Sequence, residues 1–550
     1  MGLTHILQIS NSGLSVTQSS IDVVARNIAN AGTEGYTRKV AQQENLLSGE
    51  QGLGARISGI TREVDQFVQQ QLFVEDSRLS YTKAISDFLN KLDQTFGSPG
   101  GASALDTRVN EFAQSLQDLS TQPESQAARL AVVNQAEALA SELRYLTDSV
   151  QNLRQLAEDS IADGVAEVNN LLQGIENVNN QIATASAVNA ETAGLEDQRD
   201  LLVNKLSEYL EVNVTNDNNG RAVVYSKSGN VLVDNEAVQL SFDRNGNLSA
   251  SSLYSTDPLE RGVGTVTLDG SNAYEIDLIE NGILSTGRLG ALVELRDTIL
   301  PQAQLQLDDL ASGLALSLTN SDVSGVAATV GAATGFDLDI SNVQRGNVIS
   351  LQYTDNAGPT THNISIVRVD DASVLPLSND ATSNPNDVVI GVDFSAGEAA
   401  VAAALDAALG ANITVSLPAA GTLRIVDDGA GNNTDINSLS ASVTNTSLQD
   451  GGLGFPLFMD TGNNQAYTGA VDGGYQKTGF AGRIVVNNLV QKDPELLVKY
   501  STSPETLIGD NSRPLDLIAR LGQTNIEFGS QNGIGGINTP FVGSVIDFAQ

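Results

Sequence analysis

The sequence predicts an α+β, multidomain chain: a long, coiled-coil-like helical rod that carries β-rich outer domains. Three observations predict it. Apolar residues keep a helical spacing over roughly 60 positions, from Leu130 to Thr184 with its flanks. After residue 211 the apolar period drops to two, and turn residues punctuate it. Residues 321–450 then shift to Gly, Ala, Ser, Thr and Asn, with 15 acidic side chains against three arginines, Arg345, Arg368 and Arg424.

The elements follow in order. Leu7, Leu14, Ile21 and Ile28 recur every seven residues; Leu3 and Val24 stand on the intervening seam with the polar Ser10 and Thr17. This stripe predicts a helix with two readings. It is an ordinary amphipathic helix on its own core, or a coiled-coil strand that awaits another segment or subunit, because so short a helix does not persist alone in water. Residues 41–60 read as irregular structure or a β-ribbon. Val64, Phe67, Val74, Tyr81, Ile85, Phe88 and Leu92 predict a helix over 64–96, ended by "GSPGG" at 97–101. A third helix is predicted over 105–119. The fourth is very long and holds Gly164 and Gly174 inside it. At 1.5 Å per residue it would make a rod of about 90 Å. A short helix covers 194–210. Residues 212–285 read as β-rich, with Asn-Gly at 219–220 and Ser-Gly-Asn at 228–230. Helix returns over 286–320, where Pro301 should kink or divide it. Residues 397–410 predict one amphipathic helix within the acidic segment.

Four regions result: 1–60, a tube-forming N-terminal helix and motif segment; 61–190, a long-helix rod domain; 191–320 with 479–550, a mixed β/helix domain; and 321–478, an inserted, acidic, β-rich variable domain.

The bulk numbers exclude whole classes of function. A formal charge of −37 repels nucleic-acid phosphates and anionic membranes. Cysteine is absent, which excludes disulfides, thiolate zinc sites and cysteine nucleophiles. No apolar run is long enough for a membrane span. "MGLTHILQIS" has no basic n-region, so the protein is cytosolic or leaves by a route that keeps its N-terminus.

No catalytic set emerges, and no cofactor or metal is expected. His5 and His362 stand apart, the first beside the stripe and the second in a polar turn. Asp427, Asp428 and Asp435 in "DDGAGNNTD" are the best metal candidates. They lack the alternating register of a calcium loop, so a solvated β-turn is expected. Asp197, Arg199 and Asp200 in "LEDQRD" resemble an acid–base cluster, but their helical spacing favours surface or interdomain ion pairs.

At "NIANAGTEGYTRKV" the chain resembles the bacterial flagellar rod, hook and hook-associated family. Asn27, Ala29, Asn30, Gly35, Tyr36 and Arg38 stand where the family motif has them. Thr33-Glu34-Gly35-Tyr36 replaces the usual Thr-Pro-Gly-Tyr, which leaves Gly35 to supply the unusual backbone angle. "LEDQRDLLVNKLSEYLEVNV" (195–214), the stretch 287–320 and "RIVVNNLVQKDPELL" (483–497) are similar to the hook-associated members at the hook–filament junction. The resemblance covers 1–320 and 479–520.

That resemblance implies a structural role rather than an enzyme. Subunits would form a ring between hook and filament, in contact with hook protein, neighbouring hook-associated proteins and copies of this chain, after export without a cleaved signal peptide and with a chaperone. No nucleic acid or membrane partner is implied. Leu7, Leu14, Ile21, Val24 and Ile28 would form the assembly interface. The family carries a second striped helical segment near its C-terminus, which is not reached before Gln550. The rival readings are another axial flagellar protein such as the hook protein, a secreted adhesin with a helical stalk, and a secreted glycosidase. The last wants an aromatic-lined cleft, and Phe336, Tyr353 and Phe394 are the only aromatics in 321–450.

Overall fold

The computed structural model of the chain describes residues 3–550 except 49–50, 99, 102–103, 218–219, 270–274, 385, 463–464, 473–476 and 537. The expected Asn-Gly turn at 219–220 and part of the "GSPGG" break lie outside the described residues. The chain divides into two compact units. The first holds 1–90, 154–248 and 252–298; the second holds 91–153, 249–251 and 299–550. The chain passes between them inside α2 (Gln66–Phe96) and α4 (Gln126–Ala187), and again around 248–252 and at 298–299.

The first unit opens with α1 (Leu3–Ala29), followed by a two-stranded ribbon, β1 (Lys39–Ser48) and β2 (Gln51–Arg62). The ribbon is antiparallel, with register shifts between Gln42 and Gln43 and between Leu46 and Leu47. The helix therefore does have a neighbour in its own chain, since it lies on the ribbon. Val16 and Val23 are its buried residues. Helix α2 buries Phe73, Ser77 and Phe88. Phe67, expected on that stripe, is instead 77% exposed, because at six residues ahead of Phe73 it is turned about 120° off the buried face.

The C-terminal part of α4 buries Val165, Val168, Leu172, Ile175, Val178 and Ile182, with Gly164 against Leu289 and Gly174 against Leu202. Helix α5 (Ala193–Tyr209) and two three-stranded sheets complete the unit. One sheet is β3 (Val212–Asn216), β4 (Ala222–Ser226) and β5 (Val231–Val233); the other is β6 (Leu240–Phe242), β7 (Val266–Asp269) and β8 (Glu275–Asp277). Two asparagines of α4 join helix to strand. Asn169 exchanges two hydrogen bonds with the backbone of Leu240, and Asn179 does so with Ala222. A carboxamide offers one acceptor and a donor, the same pair a strand neighbour offers.

The helix expected over 286–320 is divided as Pro301 required, but just ahead of the proline. Helix α6 (Gly287–Glu294) gives way to a π-turn at Leu295–Ile299, and α7 (Leu300–Thr319) follows. Pro301 lies in the first turn of α7, where a missing N–H is harmless. The π-turn carries Arg296, which is fully buried. Its guanidinium donates to Glu158 at 2.6 Å, to the carbonyl of Gly264 at 2.7 Å and to both oxygens of Asp297. Arg154 donates to the carbonyl of Arg296 at 3.2 Å.

In the second unit, α3 (Leu105–Thr121), the N-terminal part of α4 and α7 bury aliphatic stripes. Phe112 meets Phe458 edge-on, with ring centroids 5.8 Å apart. Residues 320–444 form two sheets around one core that runs from Leu338 to Ala441. The first sheet is ordered β14-β13-β12-β17-β9 and the second β10-β11-β16-β15. These strands are β9 (Asn320–Ser324), β10 (Val326–Val330), β11 (Ala333–Asp339), β12 (Val348–Asp355), β13 (Thr360–Val369), β14 (Val388–Asp393), β15 (Ile413–Ala419), β16 (Thr422–Asp427) and β17 (Thr434–Thr444), with α8 (Glu398–Leu409) ahead of β15. Asn320 pairs with Thr444 across the ladder, so this segment enters and leaves at one point.

Phe455, Leu457 and Phe458 lie outside that core. They are buried, and β18 (Phe458–Asp460), β19 (Gln465–Ala466) and β20 (Ile484–Val486) make a separate sheet. Helices α9 (Phe480–Arg483), α10 (Asn488–Lys492) and α11 (Ser512–Leu521) follow. Among the described residues, no helix is long and apolar enough to cross a membrane.

Candidate assembly site

Asn27, near the end of α1, caps the start of the ribbon. Its side-chain nitrogen donates to the carbonyl of Lys39 at 2.8 Å, and its oxygen accepts the N–H of Lys39 at 3.0 Å. The Tyr36 hydroxyl donates to the same oxygen at 2.9 Å. Lys39 Nζ stands 4.4 Å from the Tyr36 ring centroid. Gly35 makes the turn between them at φ +76°, where a Cβ would press on the Leu201 side chain at 3.2 Å. Only glycine takes that backbone angle without strain. Asn27, Gly35 and Tyr36 thus come together. Asn30 donates back to the carbonyl of Arg26 within the turn. Arg38 points away and pairs with Glu63 at 3.1 Å, both largely exposed.

Lys39 begins β1 and stands directly across from Arg62, the last residue of β2. Two cations opposite each other on a ladder repel. Helix α5 offsets them with the carboxylates of "LEDQRD". Arg62 donates from Nε to Glu196 at 2.8 Å and lies 3.0 Å from Asp197 and 2.8 Å from Asp200. Lys39 Nζ meets Asp197 at 3.0 Å, and the Thr37 hydroxyl donates to the same carboxylate. Arg199 binds Asp200 at 3.0 Å and the carbonyl of Gly220 at 2.9 Å. Gln69 of α2 donates to Asp200 at 2.7 Å. Three cations and three carboxylates balance, with side chains only 4–28% exposed.

The electrostatics follow from burial and pairing. Burial pushes the Asp197 carboxyl up, but bonds from Thr37, Lys39 and Arg62 outweigh it and hold it below its ordinary range. Burial likewise lowers Arg62, and the three carboxylates more than reverse that. Of the two expected roles for "LEDQRD", surface pairing and pairing between distant segments, the structure shows the second, largely buried, because α5 packs its acidic turn under the base of the ribbon. A cleft of 730 Å³ opens beside the cluster, but the charged groups on its wall, Arg62, Glu196, Arg199 and Asp200, are already bonded to one another. The arrangement fixes α1 and the ribbon to α5; it offers no free acid or base.

The outer face of α1 is different. Leu7, Leu14, Ile21, Val24 and Ile28 are 53–73% exposed. The opposite face carries small and polar groups toward the ribbon. Ser12 accepts the N–H of Ala55 at 3.2 Å, and Gln43 donates to Ser20 at 3.0 Å. Gly54 allows that approach, since a Cβ there would lie 2.1 Å from the Ser12 hydroxyl.

Sequence reasoning missed Thr37, Lys39, Arg62 and Glu196. A period of two would have found the first two, which stand two apart at the entry to β1 with Arg38 between them. Two further expectations are corrected. Asp427 is buried, not solvated: its oxygens accept from the backbone and hydroxyl of Thr334 and from the N–H of Gly429, which occupy the lone pairs a cation would use. His362 lies within β13 rather than in a turn, stacked on Tyr353 at 4.9 Å. Among the described residues, no group of three His, Cys, Asp or Glu side chains could hold a metal ion.

Comparison with known proteins agrees with the motif reading. Residues 89–338 match the family model described as the flagellar hook-associated protein FlgK helical domain, and residues 7–37 match that of the flagella basal body rod protein. Flagellar hook-associated protein 1 of Escherichia coli (strain K12) is 28% identical over 363 residues, covering 65% of this chain and 63% of that protein. The Bacillus subtilis (strain 168) protein of the same name is 28% identical over 306 residues, 52% of this chain and 55% of its own length. The Salmonella typhimurium protein matches over 59% of this chain and 58% of its own. The chain thus spans 55–63% of the length of these relatives. The solved hook junction protein FlgK from Burkholderia pseudomallei superposes with a TM-score of 0.39 at 21% identity, over 67% of this chain and 64% of that one. The matches run through both the N-terminal motif and the helical domain, and over those stretches the chain is similar to the flagellar hook-associated protein FlgK.

Proposed function

We propose that this chain is a structural subunit of the bacterial flagellum that joins hook to filament and supports filament assembly. The observation that carries the reading is the face of α1. A buried, charge-balanced clamp holds the helix in one orientation, and five large apolar side chains on its outer side are 53–73% exposed. Burying such a side chain contributes about 1.5–3 kcal/mol, so the stripe supplies binding energy that is released on assembly. Its contacts are hook protein, neighbouring hook-associated proteins and further copies in a ring, outside the cell, reached through an export route with a chaperone. The two sheets of 320–444 serve as the outward domain, and α1 with its ribbon as the tube segment.

The test is Leu14→Asp or Ile21→Asp in a cell that lacks the native gene. Both residues are exposed, so folding stability should change by no more than about 0.5 kcal/mol, while incorporation into the flagellum is lost. Deletion of the gene should leave hooks without filaments. Filaments of normal number with either substitution would overturn the interface reading, and filaments in the deletion strain would overturn the junction role.

A further inference from the structure

We infer that the outer edge of β10 is a self-pairing surface, to which a second copy of this chain adds its own β10 in antiparallel register. The two sheets of 320–444 end in four edge strands, β14 and β9 on one and β10 and β15 on the other. Open edges template pairing with other chains, and proteins guard them with charge, proline, bulges or cover. Three of these edges are guarded. On β14 the Asn379 side chain accepts the N–H of Val389 at 3.1 Å. On β15 the Asp406 carboxylate of α8 accepts the N–H of Val415 at 2.9 Å, and a register shift with Pro418 inside it interrupts the strand. On β9, Arg520 donates to the carbonyl of Asn320 and to the Ser321 hydroxyl, and Asp322 adds a charge.

Strand β10 has none of these devices. It reads Val326-Ala327-Ala328-Thr329-Val330, with no charge, no proline and an unbroken register against β11. Val326 and Val330 are 71% and 49% exposed. No side chain among the described residues is found bonded to its backbone.

The sequence of the edge selects the occupant. The five residues are nearly palindromic. A two-fold through Ala328 sets Val326 of each copy against Val330 of the other, and Ala327 against Thr329. Such an isologous contact is self-complementary, and no like charges meet along it. Asp337, across the ladder from Val326, is already held by Arg424 at 2.6 Å. Two five-residue strands bury less than the about 1,000 Å² of a lasting interface, so the dimer is weak and concentration-dependent. The charge of −37 opposes it. Salt screens that repulsion, so association strengthens as salt rises, the reverse of an interface built on ion pairs.

Sedimentation equilibrium of the full chain at low and high salt tests this. The expected result is a reversible dimer favoured by salt. Val326→Lys combined with Val330→Lys brings lysines face to face twice and should weaken it roughly tenfold. Val326→Lys combined with Val330→Glu sets opposite charges face to face and should restore it. Both sites are exposed, and circular dichroism verifies the fold; Thr329→Lys is a third probe, expected to weaken the dimer if the Val326 and Val330 pair should not fold. A monomer at every concentration, a dimer of unchanged strength in the double-lysine variant, or a monomer that captures unrelated extended peptides would each overturn self-pairing.

Discussion

Replacing Asp197 by Asn isolates the clamp. The carboxylate holds Lys39 Nζ and Arg62 Nη1, each at 3.0 Å, and accepts from Thr37. Without its charge, Lys39 has no carboxylate within ion-pair distance among the described residues, while Arg62 keeps Glu196 and Asp200. Breaking a buried pair by removing one partner costs about 3–5 kcal/mol. The cluster is slightly open and half of it survives, which places the loss near 3 kcal/mol, a factor of roughly 100 in local opening. The opening should be confined to α1 and the ribbon, because α4 and its sheets do not depend on this carboxylate. Amide hydrogen exchange at neutral pH reads it directly. Protection over 3–62 should fall, and protection over 165–182 should not. Arg38→Gln is the control, since its partner Glu63 is exposed and such pairs contribute about 0–1 kcal/mol. The pH dependence has a definite sign. A carboxyl held below its ordinary range adds stability above its unfolded value and loses it as pH falls through its folded value. Opening of the wild-type segment should therefore increase in acid, below about pH 4, and the variant should show a weaker increase there, since Arg62 keeps Glu196 and Asp200. Equal exchange in wild type and variant at neutral pH, or loss of protection spreading into α4, would refute the clamp.

Two other perturbations address the second unit. Burial pushes the Asp308 carboxyl up to about 7, against bonds from the N–H groups of Ala481 and Gly479, from Gln304 and the charge of Arg483. Its folded value exceeds its unfolded one, so its contribution to stability is complete below about pH 4 and is lost as pH rises through about 7. Thermal melts should show that decline in the wild type, and Asp308→Asn should flatten it; an unchanged slope would contradict the assignment. Replacing 321–443 by a short Gly-Ser bridge should leave the remainder folded, because Asn320 and Thr444 are already strand partners. Loss of soluble protein would show that the two sheets are needed by the core around Phe455 and Phe458.

The sequence by itself determined the elements whose burial follows a local period. The spacing of Leu139, Leu143, Leu146 and Val150 predicts α4 almost to its ends, and the turn residues after 211 predict the sheets, because one-sided burial writes a period of 3.6 or two into neighbouring residues. The motif at 27–38 pointed to the flagellar axial proteins through Asn27, Gly35 and Tyr36, whose roles are local. A stripe, however, states only that a face can be buried, and not against what. On α1 the stronger apolar row stayed outside, while Val16, Val23 and a few hydroxyls met the ribbon, because a surface lined by Gly54 and small groups accepts small partners at close range. Tertiary structure alone decided the clamp. Lys39 and Arg62 meet only through the ribbon register, and Glu196 and Asp197 reach Arg62 from 134 and 135 residues away. An ion pair between distant segments leaves no period in the sequence, and its partners acquire meaning only when the fold removes them together from water.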